Sequence, residues 1–448
     1  MVKEALRCSI RSFQRACRFL SFLNYGILYP SLPPSVFMRC VMSSSFNHRE
    51  RIVVFLCWAA YTAAYAGRFS YTASILSMQN ALGLDKASLG AVGSSFFIAY
   101  ACGQLVLGVL TRHASPRAVM AVALLASALC NLLVPRFPTP KALAALWFVN
   151  GIVQSSLWCN LLRDISHHLR EEVLGRTIVI TSTTLTFGTF VAYGTAACFA
   201  RFALWQSAFW VGAACEAAAA FALLAFHPRG NGVRTEPPIS SPQPDPGRPR
   251  RTWPVGFLVV FCFMGLLLGL LRDGVGTWIP SILHEGFGIE PSKAVLATLG
   301  VSLVGILGAA INQGLRHRLR LLATMNALYF GFAALFLGGT LLFLVRHMLP
   351  GMLFCFAALT LLATMIMNVL TNMFGLYYRS HFDAGTATAL VNTCCYVGTS
   401  LAAWGAGALA DRQGWSSVFL ALCAVSVAGT LLSVLGRPTE RGVREVSQ

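Results

Sequence analysis

Long apolar runs, each with enough residues to cross a bilayer as a helix, follow one another along this chain with only short charged tufts between them. They cover Ile52–Gln79, Ala87–Leu110, Ala118–Pro135, Ala142–Leu162, Gly175–Cys198, Phe202–Phe226, Trp253–Leu283, Val295–Leu315, Leu321–Val345, Leu349–Leu370, Gly385–Ala410 and Trp415–Leu435. A spanning helix needs about 20 such residues, and in hydrocarbon the backbone polar groups must be satisfied within the segment, which makes these runs helices. The expected fold class is therefore an all-α membrane protein with twelve transmembrane helices. Composition agrees: 56% of residues are hydrophobic and 11% charged, against about 25% charged in soluble domains. The formal charge of +18 is scattered between apolar runs and forms no basic face, so nucleic acid is excluded as a partner. Membrane lipid takes its place.

Charge asymmetry orients the bundle. With the N-terminus in the cytoplasm, twenty-five of the 34 Lys and Arg lie on the cytoplasmic side, seven lie opposite, and Arg68 and Arg272 lie inside helices. Both termini are thus expected to be cytoplasmic, in a plasma (inner) membrane. Residues 228–252, "PRGNGVRTEPPISSPQPDPGRPRRT", form the one long polar stretch inside the bundle, and their prolines make a semi-extended tether. This divides the chain into a segment 1–51, a six-helix half 52–227, the linker 228–252, a second six-helix half 253–436 and a tail 437–448. Two parallel six-helix repeats about an axis along the membrane normal are one plan of secondary transporters. Before the first run, Arg7, Arg11, Arg15 and Arg18 share one helical face. That pattern fits an interfacial helix on anionic lipid, a targeting sequence, or an over-called extension whose true start is Met42.

Arg68, inside "AYAGRFSYTASIL", is the residue that most needs explaining. An arginine at the centre of a spanning helix costs about 2.5–3.5 kcal/mol on insertion scales. Arg272 stands at an equivalent depth in the first helix of the second half, so the problem concerns a pair. Tyr61, Tyr65, Arg68 and Thr72 recur at helical spacing on one face, and Gly265, Gly269, Arg272 and Gly276 repeat that spacing. A guanidinium is a fixed fork of five donors matching phosphate or carboxylate oxygens, and it stays charged when desolvated. Two of them facing a central cavity suit a small-molecule anion. The competing reading gives each arginine a protein counter-ion, Glu216 or Asp273. Asp273 projects about 100° away from Arg272 around an ideal helix, which makes an intimate pair there awkward, although it can reach across toward Arg68.

The remaining polar residues carry less. Asn150, Gln154 and Asn160, with Asn368 and Asn372 in the other half, suit interhelical hydrogen bonds as well as substrate contact. Gly103, Gly188, Gly305 and Gly398 read as close-packing positions, and His167 and His168 as solvated residues of a cytoplasmic loop. The fourteen cysteines show no CxxC pair and no zinc spacing, so no disulfide, metal or cofactor is expected. No nucleophile–base pair or phosphate loop is present to support an enzyme.

Four segments are similar to the organophosphate:phosphate antiporters of the major facilitator superfamily, which include bacterial glycerol-3-phosphate and hexose-phosphate transporters. They are "FFIAYACGQLVLGVLTRHASPR" (96–117), "NGIVQSSLWCNLLRDIS" (150–166), "LLRDGVGTWIPSIL" (270–283) and "AGTATALVNTCCYVGTSLAAWGAGALADRQGW" (384–415). The resemblance implies the major facilitator fold, two pseudo-symmetric six-helix halves in a monomer. It also implies that Arg68 and Arg272 hold the phosphate of a sugar or polyol phosphate exchanged for inorganic phosphate. The sequence departs from the family in three places. Gln104 replaces a helix 2 lysine, Leu185 or Thr184 falls where the glycerol-phosphate branch has a histidine, and Thr111 precedes Arg112 in place of an aspartate. The expected substrate-binding set is Arg68, Arg272, Tyr61, Tyr65, Thr72, Gln104 and Asn160. A proton-coupled carrier of a carboxylate or drug, and a transporter-like sugar-phosphate sensor, remain alternatives.

Overall fold

The structure is a computed structural model that describes residues 46–170, 183–200, 204–228, 255–316, 321–374 and 384–445, with scattered positions between them. The expected linker and the segment before Phe46 lie outside the described residues. Every regular element described is helical, with no strand among them.

The N-terminal half holds α1 (His48–Leu82), α2 (Lys86–Leu110), α3 (Pro116–Leu133), α4 (Pro140–Ser155), α5 (Leu157–His168), α6 (Thr184–Ala200) and α7 (Ser207–Phe226). The C-terminal half holds α8 (Val255–Gly276), α9 (Ile279–Phe287), α10 (Pro291–Val304), α11 (Leu307–Arg316), α12 (Leu322–Val345), α13 (Leu349–Met367), α14 (Ala384–Gln413) and α15 (Trp415–Glu445). Three expected runs are broken helices: α4 and α5 meet at Ser156, α8 and α9 at Thr277–Trp278, and α10 and α11 at Gly305–Ile306. With these pairs joined, the elements trace twelve spans. Among the described residues, nine helices are long and apolar enough to cross a membrane by length and composition alone. Large apolar side chains such as Phe55, Val122, Phe190, Phe221, Leu335 and Leu431 point outward and stay exposed. An apolar exterior on this scale would be unstable in water and is natural in lipid.

Local chemistry sets several boundaries. α1 starts with a capping box, in which Asn47 and Glu50 satisfy each other's backbone N–H groups, and it ends at Gly83 with φ 62°. That left-handed conformation favours glycine. α13 ends in a π-helical turn, Asn368–Met373. α15 runs on to Glu445, past the Leu435 at which the apolar run ends. The reason is Glu440, which is fully buried and accepts from the N–H groups of Leu322 and Ala323, both at 2.8 Å, and from the Tyr378 hydroxyl at 2.5 Å. The extension therefore caps the start of α12, where a carboxylate is favoured by the helix dipole.

The halves meet along α2 and α14 and along α6 and α10. At the end of the bundle away from His48 and Glu445, they are latched. Lys86 lies 3.2 Å from Glu285 and 3.4 Å from Asp411. Asp411 also accepts from the Ala87 N–H at 2.7 Å, and Glu285 from the Trp415 indole at 2.8 Å. Close to this latch, Gly90 meets the Ala403 carbonyl and Ser94 exchanges hydrogen bonds with Ser400.

Candidate substrate site

The long apolar α1 carries Arg68 to mid-helix, where it is 9% exposed. Its Nε donates to Gln154 Oε1 at 3.2 Å. The guanidinium lies over three rings, with its carbon 4.6 Å from the centroid of Tyr100, 5.1 Å from Phe96 and 5.3 Å from Tyr65. Desolvated cation–π contacts contribute about 0.5–2 kcal/mol each, so three rings offset much of the insertion cost. Among the described residues no carboxylate lies within ion-pair distance of Arg68, and its two terminal nitrogens make no hydrogen bond. Arg68 lines a narrow cleft whose wall includes Thr72, Gly93, Phe97, Trp147 and Thr277.

Arg272 is held differently. Its Nε and one terminal nitrogen donate to Asp273 Oδ2 at 2.9 and 2.7 Å, and that nitrogen is also 3.3 Å from Thr399 Oγ1. Thr399 in turn donates to the same Asp273 oxygen at 2.6 Å. The intimate pair that helical geometry makes awkward is thus formed. The Arg272 side chain is long enough to bend back around the helix, and Thr399 of α14 fixes the carboxylate for it. The other terminal nitrogen meets only the Met367 sulfur, at 3.8 Å. Tyr100, beneath the Arg68 guanidinium, packs on Tyr396 of α14 with ring centroids 4.6 Å apart, and α14 also carries Thr399 beside Arg272, so both arginines lie along α14.

Glu216 is no ion-pair partner of either arginine. It is fully buried on α7 and accepts from Ser127 at 2.6 Å, Asn131 at 3.0 Å and Gln154 at 3.3 Å. Its carboxylate occupies the space beside Gly67, where an added Cβ would come within 2.1 Å of Oε1. Gln154 therefore stands between two charges, accepting from Arg68 and donating to Glu216. In the sequence it is one amide among several, with nothing to mark it.

The other expected residues separate. Tyr61 and Tyr65 touch edge-on at 4.9 Å on the Arg68 face, and Tyr61 packs on Trp158. Thr72 shares the cleft wall with Arg68. Gln104 accepts from Asn392 of the other half at 3.2 Å, which makes it a contact between halves. Asn160 is away from the site. It donates to Thr111 Oγ1 at 3.1 Å and to the Ser156 carbonyl at 2.8 Å, and accepts from Arg163 at 3.2 Å. Its amide is spent on holding the turn after α2, six residues or about 9 Å along the helix from Gln154.

A helical bundle in two halves, with Arg68 buried and Arg272 half-buried between them, defines a polytopic membrane protein. The family model described as Major Facilitator Superfamily matches residues 57–403, and the chain belongs to that superfamily. It is similar to a probable hexose phosphate transport protein of Chlamydia pneumoniae, 24% identical over 90% of this chain and 95% of that protein. It is also similar to the membrane sensor protein UhpC of Escherichia coli, 22% identical over 91% of this chain and 96% of that one. Among solved structures, an inward-facing, occupied bacterial homolog of the human lysosomal transporter Spinster superposes with a TM-score of 0.73. Its identity is 13%, over 89% of this chain and 99% of that one, so the likeness is one of fold.

Proposed function

We propose that this protein exchanges a sugar or polyol phosphate for inorganic phosphate across the plasma membrane by alternating access, with both termini in the cytoplasm. The observation that carries the reading is Arg68: buried, with no carboxylate in ion-pair distance among the described residues, and lining a cleft with residues of both halves. Arg272 offers a second, partly committed fork to the same region. A phosphate group supplies the acceptor oxygens both lack, and the hexose phosphate relatives favour that anion class. The latch around Lys86 joins the halves at the end opposite the termini. Counterflow in proteoliposomes loaded with phosphate, with a panel of phosphate esters outside, tests the proposal. Uptake that depends on internal phosphate supports it, and uptake driven by a proton gradient without internal anion refutes exchange.

Glu216 favours a second reading. A buried carboxylate one glutamine away from Arg68 is the kind of group a proton-coupled carrier requires, and the gradient arm of the same experiment decides between the two. Sensing is a third reading, supported by the resemblance to UhpC, and it predicts ester binding without flux.

A further inference from the structure

Three side chains with metal-ligating chemistry, Asp164, His168 and His227, converge in the N-terminal half at the end where α1 begins, and Cys57 lies beside Asp164. Asp164 and His168 are one helical turn apart on α5 and share a face. His227 directly follows the last turn of α7, and Cys57 comes from α1. Cys57 is fully buried, Asp164 and His227 have side chains 1% exposed, and His168 is 16% exposed. One ligand atom from each of Asp164, His168 and His227 lies within 4.8 Å of the others. Cys57 Sγ is 3.4 Å from Asp164 Oδ2. The positions 57, 164, 168 and 227 are too scattered in sequence to show as a spacing motif.

Hydrogen-bond accounting points to a cation here. His168 Nδ1 is 2.9 Å from the Asp164 carbonyl oxygen, and His227 Nδ1 is 3.1 Å from that of Pro228. A carbonyl only accepts, so an Nδ1 bonded to one carries a proton, which leaves Nε2 as the ring atom able to ligate. That is how ligating histidines are usually held, with the other ring nitrogen fixed by a backbone carbonyl or carboxylate. His227 Nε2 points at Asp164 Oδ2 from 2.6 Å, so a cation, either a proton or a metal ion, belongs between them. Asp164 Oδ1 is buried with no hydrogen-bond partner, and His168 Nδ1 is 3.4 Å from it. Bond lengths of about 2.0–2.3 Å put tetrahedral zinc ligands about 3.3–3.6 Å apart. The Cys57–Asp164 separation already has that value, and the His227–Asp164 contact has to open by under about 1 Å to reach it.

We propose that Asp164, His168, His227 and Cys57 bind one divalent transition-metal ion of the zinc class, joining α1, α5 and α7. The mixed nitrogen, oxygen and sulfur set suits zinc. Binding converts the Cys57 thiol to a thiolate and releases its proton, so uptake rises with pH. All four ligands belong to one half, so the ion braces that half and leaves the junction between halves free to move.

The test uses the purified full-length protein in detergent, freed of any affinity tag and stripped with a chelator, then titrated with Zn2+ or Co2+ alone. About one ion per chain is expected, with cobalt giving tetrahedral d–d absorption and a thiolate charge-transfer band. Cys57→Ser should lose that band, and His227→Gln should weaken zinc binding more than about 100-fold, since even groups behind the ligands change affinity about 10–100-fold. Failure of the wild type to take up stoichiometric metal overturns the proposal, as do variants that bind like the wild type. The cluster is then an imidazolium–carboxylate pair bridged by a proton. Should a variant not fold, the cobalt spectrum of the wild type decides alone, because a spectrum without thiolate character refutes the ligand set.

Discussion

Replacing Arg68 by lysine isolates the part of the site that depends on a planar fork. Lysine keeps the positive charge over Tyr65, Phe96 and Tyr100, so insertion and folding should be retained. It loses the Nε donor to Gln154 and replaces two parallel terminal donors by one ammonium, a point charge on a flexible stem. If those terminal nitrogens bind a phosphate as a pair, one charge-assisted hydrogen bond is lost, about 1.5–3 kcal/mol. At about 1.4 kcal/mol per factor of ten, the expected result is a weakening of ester affinity of about 10- to 150-fold. The assay is counterflow into phosphate-loaded proteoliposomes, reading KM and maximal rate separately and normalising to inserted protein. The KM should carry most of the change, because the lost contact is made to the bound anion. A lysine variant with wild-type KM refutes the argument and makes Arg68 a structural cation held by its rings.

The other predictions concern neighbouring groups. Glu216→Gln should leave phosphate-driven exchange within about twofold, since Ser127, Asn131 and Gln154 still have an acceptor there; loss of transport in the same counterflow assay indicates proton coupling. Lys86→Ala removes both ion pairs of the latch and should raise labelling of a cysteine placed at Thr72 by an impermeant maleimide added at the latched face, in a protein without other cysteines; unchanged labelling shows that the latch does not hold that face shut. Asp273→Asn frees Arg272 and should lower the KM for a dianionic ester severalfold; a rise in KM shows instead that Asp273 is needed to position the arginine.

Much of this was legible in the sequence because lipid makes helix formation nearly obligatory. The twelve apolar runs, the two halves and the Tyr61–Tyr65–Arg68–Thr72 face follow from length and 3.6-residue spacing. What escaped depends on departures from a straight helix or on contacts distant in sequence. Asn160 groups with Gln154 on sequence alone, but the break at Ser156 separates them and the amide serves the Thr111 turn. The Arg272–Asp273 pair escaped because adjacent residues diverge on an ideal helix, and only Thr399 of α14 brings the carboxylate round. His168 reads as a loop residue until α7 delivers His227 beside it. In each case the missing information is a partner more than fifty residues away, or a local change of helical phase.

These pairings alter the charge balance that exchange rests on. Arg68 and Arg272 counted alone make a site of charge +2, suited to a dianion. With Asp273 bound to Arg272 the three groups sum to +1, and the uncompensated charge resides on Arg68. In the proposed cycle the unloaded site carries one cation through a low-dielectric centre, which opposes movement without an anion. A monoanion then neutralises the site, while a dianion does so fully only by displacing Asp273 from Arg272. Phosphate monoesters lose their second proton near pH 6, so in the wild type KM expressed as total ester should rise as pH increases through that value. Asp273→Asn restores +2 and should reverse the slope, because the dianion becomes the better match. The two slopes, measured with one ester in the same proteoliposomes, separate charge matching from any change in protein amount or stability. Parallel slopes in the two proteins exclude Asp273 as the group that sets the charge of the site.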